Sequence, residues 1–223
     1  MKVLYVSSHY FGNGSGGALV SKNNYELLKD LNSVSEISVC DASGYLGRGV
    51  FRKIIIFIRA FFGFSSLLGV LNLYTLLRKP VFLEANTIWF DGSLYGPLIS
   101  KIKNEYPRKK IIVFYHNIEF DFYREIYMNK SFLYKGLVRS AYKNEMLCSS
   151  LSDYVITLSK ADGKRLEDVY GCESDYILPV FLCGTHELDS NYVMKDEINN
   201  KILFVGSKFP PNEEALRFLV DNV

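Results

Sequence analysis

The chain has 223 residues, of which 48% are hydrophobic and 22% are charged. This balance is typical of a globular protein and excludes an intrinsically disordered chain, while the length favours one domain and part of a second. The formal net charge of only +2 does not indicate a nucleic-acid partner.

The cysteines have neither a C-x-x-C pattern nor the spacing of metal ligands. They are predicted to be reduced thiols of a cytoplasmic protein, and they are Cys40, Cys148, Cys172 and Cys183. The amino-terminal residues, MKVLYVSS, lack the basic and long apolar regions of a secretory signal. No secretion signal is therefore predicted.

The first predicted strand, Val3–Val6, is followed by a glycine-rich loop, Ser7–Gly17, here called the glycine loop. A predicted helix over Ala18–Leu31 comes next. Glycine allows backbone N–H groups to approach an anion closely, and a helix start adds a favourable partial charge. His9 lies in the same loop and could line it. The spacing matches neither G-x-G-x-x-G with a later ribose-binding acid nor G-x-x-x-x-G-K-[ST]. The residues alone leave two alternatives, an anion-binding loop and a flexible turn.

Short apolar runs alternate with helix-like segments along the chain. Further strands are predicted at Ile37–Cys40, Val81–Leu83, Ile88–Phe90, Ile111–Phe114, Tyr154–Thr157 and Tyr176–Leu178. Further helices are predicted at about Tyr95–Tyr106, Phe120–Met128, Leu133–Leu151 and Lys160–Tyr170. Continuous apolar strands between helices predict an α/β fold, with a Rossmann-like parallel sheet covered by helices on both faces.

The segment Ala60–Leu77 is uncharged over about the length that crosses a bilayer. Polar residues and glycines interrupt it, and a spanning helix would separate the first two strands from the rest of the sheet. Three alternatives stay open: a buried core helix, a helix in the membrane interface, and a true span. The stretch between Asp41 and Glu84 has no acidic residue, which favours contact with an anionic membrane surface. Its cations are Arg48, Arg52, Lys53, Arg59, Arg78 and Lys79.

The motif His116-Asn117-Ile118-Glu119 follows the predicted strand Ile111–Phe114. Ligands of open parallel sheets bind outside the carboxyl ends of the strands. The imidazole of His116, the amide of Asn117 and the carboxylate of Glu119 are therefore predicted to lie in the same crevice as the glycine loop. A structural role is the alternative for His116, and His186 is expected to be an exposed linker residue.

Ser159 follows the predicted strand Tyr154–Thr157 and is expected to cap the next helix, with Asp162 in the first turn. This structural role is sufficient to explain Ser159.

The polar stretch 184–200 is predicted to be a linker between a domain of residues 1–183 and residues 201–223. The last segment has an apolar strand pattern, Ile202–Val205, and a helix-like pattern, Glu213–Val220. One strand and one helix cannot bury their own apolar faces. We therefore expect this segment to dock on the first domain or to begin a second, incomplete one.

Taken in order, these motifs resemble the amino-terminal half of GT-B glycosyltransferases, in particular the large retaining family 4. The glycine loop of that family, its His-Asn-[Val/Ile]-Glu element and its Ser-x-x-Asp followed by Tyr-Gly all have counterparts here. The second domain of the family opens with a strand, Gly-Ser and a Pro-Asn helix. The matching residues are Gly14-Ser15-Gly16-Gly17, His116–Glu119, Ser159, Asp162, Tyr170, Gly171, Phe204–Ser207 and Pro211–Ala215.

The resemblance implies transfer of a sugar, with retained configuration, from a nucleotide-diphosphate sugar to a glycan or lipid-linked acceptor in bacterial surface-polysaccharide synthesis. No cofactor and no metal are expected. By this resemblance the Gly14–Gly17 backbone faces the donor's diphosphate and sugar, and His116 is the catalytic residue beside the transferred sugar. Other implied site-lining residues are His9, Asn117, Glu119 and Ser159. The 48–79 region lies where such enzymes often meet lipid-linked acceptors, which implies a cytoplasmic enzyme held peripherally at the inner membrane face.

Apart from this opening strand and helix, the donor-binding domain of that family, with its paired glutamates and basic diphosphate-binding residues, has no counterpart in these 223 residues. The chain is therefore expected to be an acceptor-side part that is inactive, or nearly so, alone. The main alternative is a non-catalytic α/β module that binds a membrane or a partner through the 48–79 region. A nucleotide-dependent oxidoreductase is disfavoured by the missing glycine motif.

Overall fold

Six strands in the described part of the chain form one parallel sheet. The computed structural model describes residues 1–7, 16–41, 54, 58, 74–127, 132–181, 202, 204, 206 and 210–222. The strands are β1 (Lys2–Ser7), β2 (Glu36–Asp41), β3 (Thr87–Asp91), β4 (Lys110–Tyr115), β5 (Tyr154–Thr157) and β6 (Tyr176–Ile177). Their order is β2-β1-β3-β4-β5-β6, so the sheet reverses its direction of growth between β1 and β3.

The described helices lie between these strands along the chain or, in one case, after the last of them. They are α1 (Gly16–Asp30), α2 (Pro80–Glu84), α3 (Gly96–Glu105), α4 (Glu119–Tyr127), α5 (Phe132–Leu151), α6 (Lys160–Tyr170) and α7 (Pro210–Asn222). A short 3-10 helix, Tyr74–Arg78, precedes α2.

Apolar side chains cover both faces of the sheet, because successive strand residues alternate between the two faces. One core contains Leu4, Val6, Phe90, Val113, Ile99 and Leu166, and the other contains Val3, Tyr5, Trp89, Phe114, Val20 and Leu28. The first core thus joins the sheet to helices such as α3 and α6, and the second joins it to α1. This arrangement confirms the predicted Rossmann-like α/β fold, and most predicted elements agree within two residues.

The predicted strand at Val81–Leu83 is wrong, because these residues form α2. Pro80 stands in the first turn, where its missing N–H costs nothing. The ammonium group of Lys109 donates hydrogen bonds to the carbonyls of Phe82 (2.7 Å) and Leu83 (3.0 Å) at the other end. A cation at a helix carboxyl terminus is favourable. Phe82 is buried while Val81 and Leu83 are exposed, so burial of one side chain suffices to anchor this short helix.

Helix α6 has the caps that its sequence predicts. The Oγ of Ser159 accepts a hydrogen bond from the backbone N–H of Asp162 at 3.1 Å. Gly171 ends the helix with φ at 65°, a left-handed conformation that favours glycine. The capping role of Ser159 is thereby confirmed.

The hydrophobic segment lies largely outside the described residues, as do Arg48, Arg52, Lys53 and Arg59. Ile54 and Ile58 are described; both are helical, and their exposed fractions are 50% and 52%. Arg78 and Lys79 are also exposed. Within the described ranges, no helix is both long and apolar enough to cross a membrane.

The chain divides into two compact units, Met1–Phe181 and Leu182–Val223. In the second unit α7 starts three residues before the predicted helix, because prolines are well tolerated in the first turn. The predicted strand is not formed at its described residues Ile202 and Phe204. Both side chains are exposed there, and a strand requires a paired neighbour.

Substitution of Gly96 tests the packing of α3 on α5. A Cβ at this position would lie 2.5 Å from the carbonyl oxygen of Asn144 and 2.8 Å from the Cβ of Leu147. We expect Gly96→Ala to lower the free energy of unfolding by about 2 kcal/mol or more, because a backbone atom must move. Urea denaturation measures this loss.

Gly16→Ala is the matched control, since no atom of the described residues, apart from its chain neighbours and the nearby backbone of its own helix, lies within 4 Å of the added carbon. Its unfolding free energy should stay within about 0.5 kcal/mol of the unchanged protein. Equal stability of the two variants would contradict the close approach of α3 and α5.

Candidate functional site

Polar side chains from neighbouring strands meet at the point where the sheet reverses direction. Ser7 ends β1 and is paired in register with Asp91, which ends β3. Asp91 is in turn paired with Phe114 of β4, and His116 follows that strand by one residue. Crevices at such positions are the usual ligand sites of open α/β sheets.

Asp91 is fully buried and is the centre of a hydrogen-bond network. Its Oδ2 atom accepts hydrogen bonds from Ser7 Oγ at 3.0 Å and from the Oγ of Ser21 on α1. Its Oδ1 atom accepts one from Asn24 Nδ2 at 3.2 Å. The Nε2 atom of His116 lies 3.1 Å from Oδ2. The network therefore joins β1, β3, α1 and the residue after β4.

Asp91 is held in its ionised form by these partners. Burial alone would raise the pKa of Asp91, but the hydrogen bond and charge of His116, with Ser21 and Asn24, lower it below the ordinary value. An ionised carboxylate only accepts hydrogen bonds, so Nε2 of His116 donates. Asp91 thus fixes both the orientation and the tautomer of the imidazole.

The His116 ring is mostly buried, with its side chain 15% exposed. It packs edge-on against Phe114, with the ring centroids 5.0 Å apart. The carboxylate on one side and the aromatic ring on another leave the imidazole little rotational freedom. Such a restrained group is suited to preorganised chemistry.

The described end of the glycine loop, Gly16-Gly17, is connected to this network through α1. Gly16 and Gly17 open this helix, and Ser21 and Asn24, one to two turns on, bind Asp91. Gly16 is exposed and has open space beside it, so a ligand could approach its backbone. Gly14, Ser15 and His9 lie outside the described residues.

The other predicted site residues in the described part of the chain are Asn117, Glu119 and Ser159. Asn117 lies partly buried, and its Oδ1 atom has no hydrogen-bond partner among the described residues. Glu119 begins α4, and Ser159 caps α6. Asn117 is thus the member of this group with capacity for a ligand, since a buried amide oxygen is normally bonded.

Glu145, on α5, is a second buried carboxyl group that sequence analysis missed. Its oxygens accept hydrogen bonds from Ser93 Oγ at 2.8 Å and Tyr170 OH at 2.8 Å. They also accept from the backbone N–H groups of Glu119 (2.9 Å) and Phe120 (2.8 Å), which open α4. Glu145 therefore holds the loops that follow β3 and β4.

Burial raises the pKa of Glu145 to about 7, although its four hydrogen bonds act in the opposite direction. Burial and the charge of Glu145 together raise the pKa of Glu119 to about 7, against the lowering effect of His116. The pair therefore titrates near neutral pH, where small changes in its surroundings alter its charge.

Asp91 had a weak signal in the sequence, because it directly follows the predicted strand Ile88–Phe90. Ser21, Asn24 and Glu145 had none, since each stands inside a helix where polar residues are normally solvated. Among the described residues, no group of three His, Cys, Asp or Glu side chains could hold a metal ion. Cys40, Cys148 and Cys172 form no disulfide within the described part of the chain.

Asp91→Asn tests the buried network. The amide nitrogen would face side chains that donate hydrogen bonds to the carboxylate, so at least one donor loses its acceptor. We expect a loss of about 1–3 kcal/mol in unfolding free energy by urea denaturation. Asp168→Asn, at an exposed position of α6, should change stability by less than about 0.5 kcal/mol. Equal effects of the two variants would contradict the network.

The pH dependence of stability tests the Glu119–Glu145 pair. Both folded pKa values are about 7, above the ordinary 4.5, so the fold favours the protonated forms. Their contribution is full below pH 4.5 and is lost as the pH rises through 7. Relative to Glu145→Gln, the unchanged protein should therefore lose on the order of 2 kcal/mol between pH 5 and pH 8.

Urea midpoints at each pH give this difference. Glu125→Gln, at an exposed position of α4, is the control and should parallel the unchanged protein. If the unchanged protein keeps or gains stability relative to Glu145→Gln as the pH rises from 5 to 8, the raised pKa values are refuted.

Comparison of the sequence with known proteins gave no matching family model and no significant match among curated proteins. Membership of a glycosyltransferase family therefore stays an expectation from the sequence motifs.

Proposed function

We propose that the chain is the acceptor-side part of a retaining GT-B-type glycosyltransferase, which transfers a sugar from a nucleotide-diphosphate donor to a glycan or lipid-linked acceptor. The observation that carries this proposal is the His116–Asp91 pair at the reversal point of the sheet. A histidine held by a buried carboxylate in that crevice is equipped to act on a polar ligand.

In this proposal the edge of the imidazole that Asp91 does not hold meets the transferred sugar. Positive charge develops at the anomeric carbon during transfer, and a hydrogen bond from the sugar to the ring responds to that charge. The buried negative charge of Asp91 supports the same change through the ring, since interactions that strengthen in the transition state raise the rate. Asp91 is then a positioning residue, and His116 is the catalytic residue.

Gly16 and Gly17 are proposed to hold the donor's diphosphate. Their backbone N–H groups are at the start of a 15-residue helix, whose amino terminus carries a partial positive charge of about half a unit. The exposure of Gly16 and the open space beside it support this assignment.

A second candidate function is peripheral membrane binding without catalysis. Ile54 and Ile58 favour it, because both isoleucines, four residues apart in the sequence, expose about half of their apolar surface to solvent. The exposed Arg78 and Lys79 add positive charge. This alternative predicts no recognition of sugars.

Saturation-transfer NMR on the purified chain, with UDP-glucose, GDP-mannose and free oligosaccharides as probes, tests the proposal. Gly16→Ala should weaken binding of the diphosphate by about fivefold or more without loss of stability, because the added methyl group blocks the backbone. His116→Gln should remove the signal on the sugar protons. In the full-length gene product, His116→Gln should lower turnover by about a hundredfold.

Arg108→Gln, an exposed cation before β4 at the opposite sheet edge, is the control and should bind like the unchanged protein. Absence of saturable binding for every probe, or equal binding by all variants, would overturn the proposal and favour the non-catalytic module.

A further inference from the structure

A groove of about 410 Å³ lies between α4 and α5, on residues that the glycosyltransferase motifs do not include. It is lined by Phe120, Arg124, Tyr127, Lys135, Val138, Arg139 and Tyr142. Aromatic and aliphatic side chains alternate there with three cations, and none of these described lining residues is acidic. The volume is within the range of small-molecule sites.

The α5 wall of the groove concentrates positive charge. Lys135 and Arg139 are both exposed and stand one helical turn apart, a spacing at which like charges repel. Within the described residues, neither forms an ion pair with a carboxylate. An anion placed between them would relieve this repulsion.

Arg124 on the α4 wall contributes a third cation. Its Nη2 atom is 3.1 Å from Asp121, but Asp121 is also bound by Arg165 through two atoms, at 2.5 and 2.8 Å. Asp121 thus serves two guanidinium groups, and Asp168 also acts on Arg165, so Arg124 shares its carboxylate. Both walls of the groove therefore carry a cation.

The aromatic residues favour an aliphatic ligand over a stacked base. Tyr127 stacks on Tyr134 with centroids 5.0 Å apart, and Arg124 lies 5.4 Å above the ring of Phe120. Tyr142 meets Phe120 edge-on at 5.3 Å. These contacts cover one face of the Tyr127 ring and one face of the Phe120 ring, which reduces the surface on which a nucleobase could stack. An alkyl chain needs only the apolar ring edges and Val138.

We propose that the α4–α5 groove binds one phosphate-bearing lipid, with Arg124, Lys135 and Arg139 on the phosphate and the aromatic residues on the first part of the chain. Phe120 is four residues from His116, so the lipid would be held beside the crevice. The inference does not require sugar transfer, and its readout is lipid binding alone.

The probe is dihexanoyl phosphatidate, a short-chain lipid used below its micelle concentration and followed by NMR titration of the protein. We expect saturable binding, about tenfold weaker or more in Lys135→Glu/Arg139→Glu, since each cation near a phosphate is worth about 1 kcal/mol. Arg108→Glu/Lys110→Glu makes the same charge change at exposed positions of the opposite sheet edge and should bind within about twofold.

Further arms separate lipid from other occupants. Val138→Trp fills the groove without a change of charge. It should abolish phosphatidate binding although Lys135 and Arg139 are unchanged. Dihexanoyl phosphatidylcholine and inorganic phosphate should each bind at least about tenfold more weakly than phosphatidate, because each lacks half of the recognition.

Absence of saturable phosphatidate binding would overturn the proposal. Equal losses in the two charge-reversed variants would also overturn it, because general electrostatics would then explain the attraction. Inorganic phosphate or single-stranded RNA binding as tightly as phosphatidate would replace the lipid with that ligand class.

Discussion

The buried carboxylate of Asp91 is the constraint on which the geometry of the crevice depends. A carboxylate without partners in a protein interior is strongly unfavourable, so Ser7, Ser21, Asn24 and His116 must all be in place for the fold to tolerate it. The hydrogen bonds to Asp91 thereby also set the position of α1 and the orientation of the imidazole. Structure and candidate chemistry share one network.

Glu145 secures the crevice from the neighbouring layer. The loop after β3 contains Ser93 two residues from Asp91, and the loop after β4 leads from His116 into α4. Both loops are bonded to Glu145, which caps α4 with its two oxygens. Two buried carboxyl groups therefore fix backbone that would otherwise be mobile, and loops on a rigid scaffold are where proteins place their functional groups.

The sheet and most helices could be predicted because apolar runs and helical spacing report burial directly. The cap of α6 was also predictable, since Ser159 and Gly171 act through local chemistry. Val81–Leu83 was predicted wrongly because three apolar residues fit either period, and the hydrogen bonds from Lys109 that cap the helix form only in the folded protein. His116 was predicted as a site residue from its place after a strand, whereas Ser21 and Asn24, which bind the same Asp91, come from another element. Partners brought together only by tertiary packing leave no pattern along the chain.

Glu119 and Glu145 also affect how ligand binding near them would be measured. Both groups have a pKa of about 7, so at neutral pH each carboxyl group is protonated in only a fraction of the folded molecules. Charge added to the crevice or to the adjoining groove would alter that fraction. The heats of ligand binding measured in Tris and in phosphate would then differ, because each includes the ionisation enthalpy of the buffer multiplied by the number of protons exchanged. Extrapolation to zero ionisation enthalpy removes the buffer's contribution from the binding enthalpy.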